Sequence, residues 1–312
     1  MLELRHTPAL NHFKDLIGQT NHYLITILIG LEGVRSGIVT KGESFNVTWQ
    51  PKSIEDSAKR SRRFARNSAL SWAVDSLDAY IGFLGKKPFC ISDSTFLKEI
   101  EARSVYKKFN AAIKSLNFQT DFPISLIHLG IQWRNNLVHF HAENELDHEY
   151  ATFLRNTEKK DIQERFRGLD SNLMLDNFKN NYSPTLKEVA AIIQSIHFVV
   201  VEMDKELVKS YSATDYCERI IKENKQELAT MMKVNSDLQE RKLIRFFLSK
   251  GFSTIENGQP NQKNIITIEE IKKTYTQSSR LPRQPWLTGR ASHTTVRTVH
   301  VYSGSLRNGA IF

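Results

Sequence analysis

Ser53 to Gly85 is the segment that most constrains this chain, because Ala69, Leu70, Ala73, Val74, Leu77, Tyr80, Ile81 and Leu84 recur there at helical spacing without a break. Ser53, three residues before Asp56, resembles a capping box with Asp in place of Glu, which gives the helix a defined start. Further helices are expected around it. From Asn11 to about Val34, Phe13, Leu16, Ile17, Leu24, Ile27, Leu28 and Leu31 are helically spaced; segments at about 94–101, 103–116 and 123–142 follow. "NYSPTLKEVAAIIQSIHFVVVEMDKELVKSY" reads as another helix, with Ser183 as N-cap and Pro184 at its first position, and one more is expected over roughly 213–249.

Extended structure has little room. "ESFNVTWQP" alternates and stops at a proline, so a short extended segment is expected there, and "GFSTIENGQPNQKNIITIEEIKKTYTQ" suits a turn, a strand and a short helix. Strands do not alternate with helices in βαβ order, so the body reads as all-α. Residues 144–182 are strongly charged with scattered aromatics, an inserted and partly helical excursion. The organisation expected is a helical domain over 1–212 with that insertion, then a helix and a small basic extension over 213–312. After Gln277 there are five arginines and no acidic residue, which suits either a basic arm or a loose tail.

Hydrophobic content of 40% and charged content of 25% place the chain among folded proteins rather than disordered ones. The net charge of +9 favours a polyanionic partner. Cys90 and Cys217 are far apart with no C-x-x-C, as in a reducing compartment, and both suit core thiols. The N-terminus lacks the pattern of a signal peptide, and the most apolar run, "YLITILIGL", is too short to cross a bilayer. No membrane association and a cytoplasmic location are therefore expected.

The chemistry concentrates in "QWRNNLVHFHAEN", residues 132–144. At 100° per residue, Ile124, Ile127, Ile131 and Val138 cover one side of this helix, and Leu126, Leu129, Trp133, Leu137 and Phe140 cover most of another. Between them runs a narrow polar stripe of His128, Gln132, Asn135 and His139, with Arg134 and His141 further round. Buried polar groups cost several kcal/mol unless paired, so the stripe is either a satisfied core network, a solvated groove or a site. Arg134 followed five residues later by His139 is the one R-x-x-x-x-H in the chain, and a polar residue follows the arginine directly.

"RNNLVHF", at the end of an apolar helix in a bundle of about 200 residues, resembles the R-[polar]-x-x-x-H motif of the HEPN domains. The resemblance covers roughly residues 10–210. It implies a helical, dimeric protein acting as a metal-independent endoribonuclease in toxin–antitoxin or antiviral defence, with an antitoxin or defence protein as a further partner. On this match Arg134, Asn135 and His139 take the motif's arginine, polar and histidine positions, and no cofactor or metal is expected.

Elementary chemistry agrees. RNA cleaves when its 2′-hydroxyl loses a proton, the phosphorus passes through a pentavalent state with added negative charge, and the 5′-oxygen leaves. Histidine exchanges a proton near neutrality, and arginine offers a planar fork matched to phosphate oxygens. Asn135, four residues before His139, suits orienting the imidazole or holding a phosphate. Arg134 and His139 lie about 140° apart on a regular helix, so either the arginine reaches round or the helix loosens at the histidine. A motif with one histidine also favours two copies facing each other across a two-fold axis. The stripe of Lys59, Arg62, Arg63 and Arg66 suits either the RNA backbone or an ordinary solvated face, His141 a phosphate or a secondary proton transfer, and Asn136 and Trp133 structural roles.

Two rivals remain at this level. A metal-dependent hydrolase would draw on His139, His141, Glu143, Asp147, His148 and Glu149, although the two histidines point about 160° apart on a helix and H-E-x-x-H is missing. A non-catalytic RNA- or nucleotide-binding module would use the same helix for recognition alone.

Overall fold

A computed structural model describes residues 1–86, 91–139, 142, 144–166, 168–255 and 262–280 of the 312-residue chain. It is mostly helical: α1 (Pro8–Ile17), α2 (Thr20–Arg35), α3 (Ile54–Leu84), α4 (Ser94–Glu99), α5 (Val105–Ser115), α6 (Phe122–Val138), α7 (His148–Asn156), α8 (Lys159–Phe166), α9 (Ser171–Lys179), α10 (Leu186–Ser210), α11 (Ala213–Glu223), α12 (Lys225–Met231), α13 (Ser236–Ser249) and α14 (Ile268–Arg280). Three short strands, β1 (Leu2–Leu4), β2 (Phe252–Thr254) and β3 (Ile265–Ile266), form an antiparallel sheet in the order β2-β1-β3.

Helix α3 is the axis. Ser53 accepts a hydrogen bond from the Asp56 N–H as expected of its cap. Its inward face, including Leu70, Val74, Leu77, Tyr80 and Leu84, is fully buried against α1, α2, α6 and α10. Helix α6 crosses α10 so closely that a Cβ at Gly130 would lie 2.6 Å from Cγ2 of Ile192. Glycine is therefore the residue that lets these two backbones approach.

Several expectations are corrected. The first predicted helix is two, since Gly18 and Gln19 interrupt it between α1 and α2. Ser183 and Pro184 precede α10 rather than start it: Thr185 caps it in a reciprocal box with Glu188, which satisfies two backbone N–H groups where Ser183 would satisfy one. The helix expected over 213–249 is broken into α11, α12 and α13. "ESFNVTWQP" forms no ladder, because no neighbouring strand reaches it. The central strand of the sheet is instead β1, at the chain's start, so residues 2–4 pair with residues 252–254 and 265–266. No described helix is long and apolar enough to cross a membrane. The basic stretch beyond residue 280 lies outside the described residues.

Below the sheet, Asp204 on α10 is buried and accepts hydrogen bonds from the Thr7 N–H at 2.9 Å, from the Thr7 hydroxyl and from the Tyr80 hydroxyl at 3.4 Å. Burial pushes its carboxyl up to about 6, although these donors act in the opposite direction. Cys217 is buried too, and its thiol is pushed up to about 12, as suits a packing role. Cys90 lies outside the described residues.

Candidate functional site

The motif lies at the C-terminal end of α6, where the helix stops. Asp121 caps the start by accepting from the Ile124 N–H, and Pro123 lies in the first turn. The end comes at His139, whose backbone is extended (φ −99°, ψ 110°) while its N–H still bonds the Asn135 carbonyl at 3.0 Å. The predicted helix to residue 142 is therefore too long: the chain leaves the helix at the motif histidine.

Arg134 points toward α3. Its Nη2 lies 2.8 Å from Oδ1 of Asp75, and its Nη1 donates to Oδ1 of Asn135 at 3.3 Å. The arginine side chain is 18% exposed and Asp75 is 56% exposed, so the pair lies at the edge of the core with its outer side open. The Nε of Arg134 is buried without a partner. Two of five N–H donors are thus engaged and the Nε–H is shut in, which leaves one N–H on each Nη for an anion. His139, at the end of the same helix, is exposed.

Asn136 works differently from Asn135. Its Oδ1 accepts from the Asn144 backbone N–H (2.8 Å) and Nδ2 (2.9 Å), and its Nδ2 donates to the Asn144 carbonyl (3.0 Å). This clasp ties the chain after the motif back onto α6, and so fixes where His139 is held. Trp133 is buried and donates from Nε1 to the Tyr182 carbonyl at 2.9 Å. Both residues have structural duties, as expected from the sequence.

The polar stripe separates. His128 belongs to the core: it is fully buried, stacks on Tyr150 with ring centroids 3.9 Å apart, and lies against Tyr106 and Phe109. Neither ring nitrogen has a partner, and burial pushes its pKa down to about 3. It is a neutral packing group. Val138, expected on an apolar side, is 52% exposed because the helix ends there. Phe140, His141 and Glu143 lie outside the described residues.

Of the other residues considered for a metal, Asp147 accepts from the Tyr106 hydroxyl, Glu149 from the Thr120 hydroxyl at 3.0 Å, and His148 meets Thr152 at 3.3 Å. These are separate local contacts. Among the described residues no three His, Cys, Asp or Glu side chains converge on one point.

The basic stripe lies on the N-terminal half of α3. Lys59 pairs with Glu55 at 3.0 Å and Arg62 with Glu32 of α2 at 3.1 Å, while Arg63 is exposed. Arg66 is half-buried with an unpartnered Nε. Burial, followed by the charge of Arg62, pulls its guanidinium below its ordinary range, while Glu188 raises it and Arg63 lowers it further. Like charges crowded together in this way are relieved by a bound anion. The stripe leads toward the start of α10, where Asn67 meets the Ser183 hydroxyl at 3.4 Å, and Tyr182 in turn holds Trp133.

Sequence reasoning missed Asp75. "SWAVDSLDAY" carries two carboxylates among its apolar residues, but only the fold shows that Asp75 faces Arg134 and Asp78 faces Lys108. The chain matches no known family model, no curated protein and no solved structure.

Proposed function

We propose that this protein is a metal-independent endoribonuclease of the HEPN type, acting as a homodimer with a composite site. One observation carries the reading: a partly exposed Arg134, held by Asp75 and Asn135, and an exposed His139 share the last two turns of the motif helix. In this mechanism the imidazole of His139 from one copy takes the 2′-hydroxyl proton. The free N–H groups of Arg134 stabilise the charge that grows on the phosphoryl oxygens, and the second copy's histidine protonates the departing 5′-oxygen. Asp75 fixes the guanidinium plane and Asn135 its approach. The basic stripe of Lys59, Arg62, Arg63 and Arg66 holds the incoming backbone, with His141 as a further phosphate contact, so affinity falls as salt rises. Defence or toxin activity in the cytoplasm, restrained by an antitoxin or a defence-system partner, follows from the family resemblance.

The outer face of α3 supports the second copy. Phe64, Ser68 and Asp75 share one stripe by helical spacing, and that stripe is open between α2 on one side and α6 on the other. Phe64 is 73% exposed, Trp72 51%, and α2 adds exposed Tyr23, Ile27 and Ile29. Apolar surface on this scale marks an interaction site, and it adjoins the Arg134–Asp75 pair.

Purified protein incubated with total RNA in EDTA is expected to generate fragments ending in 2′,3′-cyclic phosphate, and His139→Ala is expected to abolish them while RNA binding persists. Wild-type protein that binds RNA without cutting it would sink the catalytic reading in favour of a recognition module. Cleavage abolished by EDTA and restored by a divalent ion would move the assignment to the metal-dependent class.

A further inference from the structure

A cavity of about 450 Å³ opens beside the motif, between the end of α6, the chain leading into α7, and α9. Its floor is apolar: Leu175 and Phe178 are almost fully buried, with Leu146 and Ala151 beside them. Its rim is polar, formed by the amides of Asn136, Asn144 and Asn181 together with Lys179 and Glu145. The volume suits a small organic ligand.

The rim amides are held in place. The Asn136 clasp fixes Asn144, using the Asn144 Nδ2 and leaving its Oδ1 without a hydrogen bond among the described residues. Asn181 has a left-handed backbone (φ +56°), stabilised by its N–H to the Phe178 carbonyl at 3.0 Å and by the Tyr182 N–H to the Asn177 carbonyl at 2.9 Å. That turn brings Asn181 to the rim, where its side-chain amide has no hydrogen bond within the described residues. Rim amides with unused donors and acceptors, that of Asn144 held by the clasp and that of Asn181 carried on a fixed backbone turn, over an apolar floor fit a flat ligand with apolar faces and a hydrogen-bonding edge. A wholly apolar ligand would leave the amides unpaired, and a compact anion would leave the floor wet.

Location narrows the ligand further. Asn136 is three residues before His139, so the cavity lies about one helical turn from the motif histidine. Asn181 is two residues from Ser183, which meets Asn67, the neighbour of Arg66 on α3. The basic residues of α3 thus end near the cavity, while Arg134 meets α3 on its opposite face, at Asp75. Lys179 at the rim suits the phosphate of a bound nucleotide, and Glu145 suits an exocyclic amino group.

We infer that this cavity is a base-selecting subsite, which takes the nucleobase of a nucleotide neighbouring the cut bond and chooses it through the amides of Asn144 and Asn181. The assignment rests on the ribonuclease reading above and adds the sequence specificity of that reaction. It gives the charged insertion a function, since Asn144, Glu145, Leu146, Leu175 and Asn181 all come from it.

The test uses full-length His139→Ala protein titrated with adenosine, guanosine, cytidine and uridine 5′-monophosphates, followed by calorimetry and by the side-chain amide resonances. One base, or one pair sharing a hydrogen-bonding edge, is expected to bind at least tenfold more tightly than the others and to shift Asn144 and Asn181. Asn181→Gly, which keeps the left-handed backbone, is expected to bring the four within about threefold. Ala151→Trp, which fills the cavity, is expected to abolish binding at an unchanged melting temperature. In active protein, the base bias next to the cut in a randomised RNA is expected to flatten with Asn181→Gly. Equal binding of all four nucleotides, or a cutting bias that survives both variants, overturns the subsite and leaves the ribonuclease reading intact. Selective binding lost in Asn181→Gly, in a protein that never cuts RNA, keeps the subsite and removes the ribonuclease reading.

Discussion

Arg134 is held by one carboxylate and one amide, so its value to the site is its shape as much as its charge. A lysine would keep the charge and lose the fork. Arg134→Lys is expected to lower RNA cleavage about 100-fold at unchanged melting temperature, measured as single-turnover rate, because a point charge cannot serve Asp75 and two phosphoryl oxygens in one plane. Two buried residues make a separate expectation about pH. His128 has its pKa pushed down to about 3, below the ordinary 6.5, so the stability that goes with its neutral form is complete above pH 6.5 and is lost as pH falls toward 3. Asp204 has its carboxyl pushed up to about 6, above the ordinary 3.8, so its favourable protonated state is complete below pH 3.8 and is lost as pH rises through 6. Between pH 4 and 6 the two slopes oppose each other, each at about 1.4 kcal/mol per pH unit. Urea unfolding of Asp204→Asn is expected to show stability rising with pH across that window relative to wild type, and His128→Phe to show it falling. Unchanged slopes would mean that neither group titrates as its burial requires. His128 also shows what residue spacing conveys: its angle on the helix was legible, but the rings of Tyr106, Phe109 and Tyr150 that enclose it come from α5 and α7.

Among the elements, α3 and α6 were legible in the sequence because their apolar spacing is long and their starts are marked by Ser53 and by Asp121 with Pro123. The ends were harder to read. Helix α6 stops at His139 because the Asn136–Asn144 clasp turns the following chain back, and that contact spans eight residues. The strand β1 was unreadable for a similar reason: three residues carry almost no periodicity, and their partners lie some 250 positions away. Asp75 was visible as one of two acids in this half of α3, but its pairing with Arg134 joins α3 to α6 and depends on how those helices pack. A close approach of this kind joins α6 to α10 at Gly130. Gly130→Ala is expected to destabilise the protein by about 1–3 kcal/mol, because the new methyl group meets Ile192 Cγ2 at 2.6 Å and a packed core gives way only with strain. Ile192→Ala alone is expected to cost about 2–5 kcal/mol through the space it leaves. The double variant should then be less destabilised than the sum, because the added methyl occupies part of that space; strict additivity in chemical denaturation would show that the two helices are not in contact there.

At the scale of the whole molecule, the open question is why α2 buries so little of its apolar surface. Only Thr20, Leu24 and Leu28 are buried in a helix that also carries Tyr23, Ile25, Ile27 and Ile29, and residues 38–49 add exposed Ile38, Val39, Phe45, Val47 and Trp49. A stable interface needs roughly 800 Å² from each partner with an apolar centre. The exposed side chains of α2, of residues 38–49 and of Phe64 and Trp72 on α3 offer such a centre, beside the Asp75–Arg134 pair. On the dimeric reading proposed above, a second copy seated there about a two-fold axis would cover the surface with itself and supply the second motif. Phe64→Glu and Ile27→Glu each introduce a charge into this exposed apolar surface without touching the interior, since the two side chains are 73% and 49% exposed. Each is expected to convert the protein from dimer to monomer in sedimentation, to leave the melting temperature at low concentration unchanged, and to lower RNA cleavage by at least tenfold. Mixing a monomeric His139→Ala/Phe64→Glu chain with wild type should leave the wild-type rate unaltered, whereas His139→Ala with an intact face should suppress it by forming mixed dimers with one histidine. A wild-type protein that sediments as a monomer and cuts RNA at full rate would show that one copy of the motif suffices, and that the apolar face of α2 serves another partner.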